Sequence, residues 1–336
     1  MAKPPQFDFL LLPEFSFIGF AALLEPLRIA NRFRPASYDW RLVSADGLPV
    51  RASNGIALHP QVSLPELLGA GRQDPDRTLF AIASFHPLQH FTPAIGQQLR
   101  QAVAQGYGLG AIDTGCYILA ESQLLKGSTV TLHWEAIAAF RERYPSIEVQ
   151  DRARFTLCPQ LMTSAGGMAS VDLMLDVIAR DLGRDISLQV SEQLVSGSVR
   201  ERSDHQRLQV AARYQVHNAR VIRCIDWMEQ HLENPLSSDA LAQQVGVTRR
   251  QLERLFEEHM ATSPVNFYLG LRLERARHLL RQSGMDITEI ALACGFASAS
   301  AFSRAYRRSY GCAPREDRQE KRALPALGPR TAGRAS

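Results

Sequence analysis

The strongest constraint on this chain of 336 residues is an internal echo lying between positions 237 and 308. Leu241-Ala-Gln-Gln-Val-Gly246-Val-Thr-Arg-Arg-Gln-Leu252-Glu-Arg254-Leu-Phe256 is answered by Ile290-Ala-Leu-Ala-Cys-Gly295-Phe-Ala-Ser-Ala-Ser-Ala-Phe302-Ser-Arg304-Ala-Tyr306. Each reads as helix, glycine-containing turn, helix, the helix-turn-helix pattern. The glycines stand 49 positions apart and the later apolar and arginine positions 50 apart, so the second turn carries one extra residue. Such a repeat predicts an all-α body here, and two units in tandem predict a double DNA-reading device.

Local chemistry agrees. Thr248 followed by Gln251, and Asp286 followed by Glu289, are capping-box patterns that start helices. After Thr248, the residues Leu252, Leu255 and Phe256 form an apolar stripe, leaving Arg249, Arg250, Glu253, Arg254 and Glu257 outside. After Ser298, Phe302 and Tyr306 point inward, leaving Ala299, Ser300, Ser303, Arg304 and Arg307 on the outer surface. A recognition helix needs this division: its buried side sets its angle while its free side meets base edges. Arginine pairs bidentately with guanine, glutamate accepts from cytosine, serine adapts, and alanine offers only apolar contact. One arginine on one helix would simply solvate an exposed face. The same arginine in the same frame twice argues for DNA contact.

A chain this long should hold a second core. Its 45% apolar and 8% aromatic content is that of folded soluble protein. The formal charge of +4 is mild, with the basic excess weakly towards the C-terminus, and says little by itself about nucleic acid. The five cysteines (Cys116, Cys158, Cys224, Cys294, Cys312) are odd in number and never spaced as Cys-x-x-Cys. Neither a disulfide framework nor a zinc site is indicated, and a reducing interior fits. With no leader-like start and no long apolar run, a soluble cytoplasmic protein without membrane attachment is expected.

Upstream, short apolar runs at 7–12, 38–45, 78–83, 106–112 and 160–164 read as strands. Helical spacing at 19–33, 94–105, 133–144 and 170–182, and a helix through 125, alternate with them. That alternation predicts an α/β domain with a mainly parallel sheet covered on both faces. The expected division is an α/β domain over 1–195, a linker over 196–216, an all-α domain over 217–318 and a disordered tail over 319–336. A helix over 264–282 should join the two helix-turn-helix units.

Leu236-Ser-Ser-Asp-Ala-Leu-Ala, Arg249-Arg-Gln-Leu-Glu-Arg-Leu-Phe, Arg272-Leu-Glu-Arg-Ala-Arg-His-Leu-Leu and Ala293-Cys-Gly-Phe together resemble the AraC/XylS family of transcription regulators. So does Phe302-Ser-Arg-Ala-Tyr-Arg-Arg-Ser-Tyr-Gly311 followed by Pro314. The resemblance implies seven helices, with two recognition helices held by the linking helix and entering successive major-groove segments. By position it makes Arg250, Glu253 and Arg254 readers in the first unit, with Ala299, Ser300, Ser303 and Arg304 as counterparts.

Gly110-Ala-Ile-Asp113-Thr-Gly-Cys116, Leu124-Leu-Lys-Gly127 and Thr131-Leu-His133-Trp134 resemble the class I glutamine-amidotransferase-like superfamily, which implies a flavodoxin-like fold. Catalytic members carry a cysteine on a tight strand-to-helix turn. Here the turn position is Asp113, a poor replacement for a thiolate in acyl transfer, and Cys116 falls three residues later, inside the helix. No catalysis is therefore expected. A pocket at the carboxyl ends of the strands remains, with Phe15, Phe17, Phe85, His86, Asp113, Thr114, His133 and Trp134 as candidate lining residues. The phenylalanines could equally be core, and Asp113 a simple helix cap. Aromatic faces beside one carboxylate suit a small cation or quaternary ammonium compound.

The pairing of these two domains, with Glu25-Pro-Leu-Arg-Ile-Ala-Asn31 and Ser164-Ala-Gly-Gly-Met-Ala-Ser-Val-Asp-Leu-Met-Leu175, resembles a subfamily of regulators that sense amino-acid-related metabolites such as arginine, glycine betaine and carnitine. The Ile112-Asp-Thr-Gly turn and Phe9-Leu-Leu-Leu-Pro13 opening are most similar to the carnitine-catabolism type. The resemblance implies an activator of a catabolic operon whose partners are double-stranded promoter DNA, a small-molecule effector, RNA polymerase and a second copy of the chain, with no cofactor or metal. Two rivals stand beside it: an amidotransferase-like hydrolase tethered to DNA, and a constitutive DNA-binding protein whose N-terminal domain only dimerises.

Overall fold

The computed structural model describes residues 5–69, 76–195, 206 and 210–320. It divides into two compact units, 1–206 and 207–336. Most of the expected linker and all but the start of the expected tail lie outside the described residues.

The first unit runs β1 (Gln6–Leu11), α1 (Phe17–Phe33), β2 (Asp39–Ser44), β3 (Val50–Arg51), β4 (Ala57–Leu58), β5 (Val62–Ser63), α2 (Leu64–Gly69), β6 (Arg77–Ala83), α3 (Pro93–Ala104), β7 (Gly108–Asp113) and α4 (Gly115–Glu121). It continues with β8 (Thr129–Val130), α5 (Ile137–Arg143), β9 (Glu148–Val149), β10 (Phe155–Cys158), β11 (Leu161–Ser164), α6 (Ala169–Leu182) and α7 (Arg184–Gln193). The main sheet has the order β10-β11-β7-β6-β1-β2-β5. Every neighbouring pair is parallel except β10 with β11. Taking the five longer parallel strands in sequence order, this is the 2-1-3-4-5 winding of flavodoxin-like sheets.

Alternation along the strands sends side chains to two cores. Phe7, Phe9, Leu11, Phe80 and Ile82 join Leu23, Leu27, Met174 and Ile178 on one face. Leu10, Leu79, Ala81 and Ala111 join Leu99, Tyr117 and Phe140 on the other. Asp8 breaks the apolar pattern of β1: it is fully buried and held by Arg41 and Arg77, each at 2.8 Å. Those partners make its burial tolerable.

Three differences from the expected elements matter. The helix expected over 133–144 begins only at Ile137, so His133 and Trp134 stand in a turn. The helix after the Asp113 turn ends at Glu121 rather than reaching 125. Strand β10 and helix α7 were not anticipated. Strand β10, four residues ending at the exposed Cys158, has no apolar run or glycine flank to mark it.

The second unit contains α8 (Val210–Tyr214), α9 (Ala219–Gln230), α10 (Ser238–Gln244), α11 (Arg249–Met260), α12 (Pro264–Gln282), α13 (Ile287–Ala293), α14 (Ala299–Tyr310) and α15 (Pro314–Glu320). The seven from α9 onward match the helix number expected for this region. Val210 and Val216 are buried with Val221, Ile225, Leu241, Leu252 and Phe256, so this core already includes residues assigned to the linker. Helix α12 packs against α9, α11, α13, α14 and α15, which makes it the element holding both repeats.

Candidate functional site

The repeat is built twice with the same parts. Helices α10 and α13 are each 7 residues long, and α11 and α14 each 12. Gly246 (φ 68°) and Gly295 (φ 71°) make the left-handed turns. Gly295 also lies so close to Pro235 that a Cβ there would come within 2.5 Å of the proline ring. The extra residue of the second unit falls between this glycine and the N-cap, Ser298. Both anticipated capping boxes are formed, Thr248 with Gln251 and Asp286 with Glu289.

In each second helix the fourth and eighth residues are buried: Leu252 and Phe256, then Phe302 and Tyr306. The sixth is an exposed arginine, Arg254 or Arg304. Arg250, Glu253, Ser300 and Arg307 are exposed as well. Among the described residues, Arg250, Arg254, Arg304 and Arg307 form no side-chain hydrogen bond or ion pair. Arg249 differs: it pairs with Glu253 at 3.1 Å and with Asp239 at 3.8 Å, so part of its charge is spent within the protein. The expected outer surface needs one correction, because Ala299 and Ser303 are half-buried. They stand one helical turn apart on the same side of α14.

The second repeat is tied down by charge. Arg272 of α12 donates to the carbonyls of Cys294 and Gly295, at 2.8 and 2.7 Å, satisfying the end of α13. Asp317 of α15 accepts from Arg277, Arg281 and Tyr306. Burial pushes the Asp317 carboxyl up, but the Tyr306 hydroxyl and the two guanidinium groups outweigh it and hold the group below the usual range.

In the first unit, Asp113 ends β7 with φ 57°, a left-handed conformation that aspartate tolerates better than most residues. Thr114 donates its hydroxyl to Ser84 O at 2.6 Å, and the His133 amide donates to Asp113 O at 3.2 Å. Burial raises the Asp113 carboxyl to about 6, with nearby His133 and a hydrogen bond from Ser84 opposing the rise. Cys116 is fully buried in α4 and its thiol points at Thr131 O, 3.6 Å away. Burial pushes that thiol far up, so it stays protonated.

A cavity of about 230 Å³ opens nearby, lined by His133, Trp134, Arg154, Ala165, Gly166, Met168, Ala169 and Gln206. It lies at the carboxyl ends of β7 and β11, where such sheets hold ligands. Of the expected lining residues, His133 and Trp134 reach it, their rings 5.5 Å apart. Asp113 stands behind Gly166 rather than in the wall; a Cβ on Gly166 (φ 85°) would come within 2.9 Å of Asp113. Phe15 is core, packed edge-on against Phe20. Phe17, Phe85, His86 and Thr114 also lie outside the lining, with Phe85 46% exposed. These residues follow β1, β6 and β7, whereas the cavity gathers the turn after β8, the start of β10 and the segment after β11. Arg154 and Gln206 had no sequence signal, while Gly166 and Met168 sit in the quoted Ser164–Leu175 stretch.

Among the described residues no helix is long and apolar enough to cross a membrane, and no group of three or more His, Cys, Asp or Glu side chains could hold a metal ion.

Comparison with known proteins agrees with this architecture. The helix-turn-helix domain family matches residues 241–320. A crystal structure of an AraC family transcriptional regulator from Pseudomonas putida is 27% identical with a TM-score of 0.52, covering 57% of this chain and 100% of its own. The HTH-type transcriptional regulator GbdR of Pseudomonas aeruginosa is 37% identical over 319 residues, covering 94% of this chain and 85% of the relative. The HTH-type transcriptional regulator CdhR of the same species is 50% identical over 313 residues, 93% of this chain and 91% of the relative. With a doubled helix-turn-helix behind an α/β unit, and half its residues shared with CdhR along nearly the whole length, the chain belongs to the AraC family of DNA-binding transcriptional regulators.

Proposed function

We propose that the protein activates a catabolic operon in response to a small amine or amino-acid-like metabolite of the carnitine and betaine class. Helices α11 and α14 are the reading elements, and the 230 Å³ cavity of the first unit is the effector site. The observation that carries the DNA-reading part is the unpaired arginine at the sixth position of both helices. Arginines left without internal partners, in the same frame on two exposed helix faces, are available to guanine edges or phosphates. Promoter DNA, RNA polymerase and a second copy of the chain are the partners this reading requires. An effector biases the outcome only by binding the active arrangement more tightly than the inactive one.

We infer that the first unit performs no acyl-transfer chemistry. A nucleophile must be ionised and exposed. Cys116 is neither, and the turn that would present one carries Asp113.

Binding of the full-length protein to its promoter, followed by fluorescence anisotropy, tests the DNA half. Arg254→Ala and Arg304→Ala should each cost about 1–3 kcal/mol on the cognate site and relax preference at one base pair. Unchanged affinity in both variants would remove the two helices as readers. Equal weakening on every sequence would instead assign both arginines to phosphate.

A further inference from the structure

We propose that the cavity holds the carboxylate of a small zwitterionic metabolite on Arg154, with Gln206 as its second polar contact. This deepens the effector reading above and rests on it. The Arg154 side chain is only 9% exposed yet lines the cavity. Its Nε donates to Asp172 Oδ2 at 2.7 Å, in a pair whose two side chains are equally buried. That contact uses one donor of five; among the described residues the two Nη groups have no hydrogen-bond partner. Held by Asp172 on one side, the guanidinium has donors to spare where it lines the cavity, and an acceptor there would meet them. The Nη groups present the fork geometry that matches a carboxylate's two oxygens.

The placement of Arg154 follows from topology. Because β10 runs antiparallel to β11, its start lies beside the carboxyl end of β11, with Phe155 opposite Ser164. Arg154 immediately precedes that start, and its carbonyl accepts from the Ala165 amide at 2.9 Å. The N-terminus of the 14-residue helix α6 adjoins the same cavity through Met168 and Ala169, adding positive potential.

Gln206 supplies the opposite polarity. Its Nε2 donates to Leu132 O at 3.2 Å and Ala153 O at 2.8 Å, which fixes the amide orientation. Its Oε1 is then left buried without a hydrogen-bond partner. A ligand hydroxyl or N–H would satisfy it. Trp134 and His133 add aromatic surface for a cationic head. At roughly 30 Å³ per water in the liquid, the cavity equals about eight waters, the size of a metabolite of about ten heavy atoms. Gln206 is also the last residue of the first unit.

Isothermal titration of the full-length protein with glycine betaine, L-carnitine and choline tests this. All three carry a trimethylammonium head, but choline has no carboxylate and glycine betaine has no donor for Gln206. The carboxylates should bind at least about tenfold tighter than choline. Arg154→Lys, which keeps a charge beside Asp172 but loses the fork, should weaken both carboxylates by a similar factor. Gln206→Leu should weaken L-carnitine more than glycine betaine. Choline binding as tightly as the carboxylates, or Arg154→Lys binding them with unchanged affinity, would overturn the Arg154 assignment while leaving the effector class intact. Equal loss of L-carnitine and glycine betaine in Gln206→Leu would remove Gln206. Absence of binding by all three would overturn the effector class and this assignment with it.

Discussion

Asp113 shows how one side chain can fit its backbone and strain its electrostatics. The turn needs a left-handed residue, which aspartate supplies, but burial raises its carboxyl to about 6. A folded-state value above the unfolded one means that the folded protein binds the extra proton. Stability is therefore greatest below about pH 4 for this group and falls as pH rises through about 6. Asp113→Asn keeps the shape and tolerates the same φ. Chemical denaturation at pH 7.5 should find the variant more stable by up to about 3 kcal/mol, with the difference vanishing near pH 4. A variant less stable at pH 7.5 would mean that the carboxylate is compensated by partners stronger than Ser84 and His133. Asp317 has the opposite sign. Its lowered value contributes stability above the unfolded pKa and loses it as pH falls through the folded one. Asp317→Ala should cost about 2–3 kcal/mol at neutral pH by freeing Arg277, Arg281 and Tyr306 together.

Among the elements, the recognition helices illustrate what residue spacing can and cannot say. Their start, register and buried side follow from Thr248, Ser298 and the pairs Leu252/Phe256 and Phe302/Tyr306, all local signals. Thr248→Ala, which removes the capping-box side chain of α11, should cost about 1 kcal/mol in thermal unfolding. Gly295→Ala should cost more, because it meets both a left-handed φ and the ring of Pro235. The half-burial of Ala299 and Ser303 was not readable from helical spacing. It depends on how far α14 leans on its neighbours, which period alone does not encode. The helix expected to begin at 133 failed for a related reason: the apolar residues of 131–136 are buried by loop packing rather than by helical periodicity.

Across the whole molecule, two separately packed units imply that unfolding is not a single transition. Hydrogen exchange on the full-length protein with saturating effector should show added protection around 131–136 and 153–170, where the cavity is lined. A ligand at about 100 times its Kd should stabilise the unit that binds it by about 2.7 kcal/mol. Equal added protection throughout 219–320 would mean that the two units open as one. The sequence by itself determined the doubled helix-turn-helix, its caps, the parallel α/β sheet and the exchange of a nucleophile for Asp113, because each is written in residues close together along the chain. Only the tertiary structure decided which side chains share the cavity. Arg154 reaches it because an unforeseen strand runs antiparallel, and Phe15, Phe85 and His86 miss it because their strands end elsewhere along the sheet. Strand order and direction are set by long-range packing, and no local pattern of residues records them.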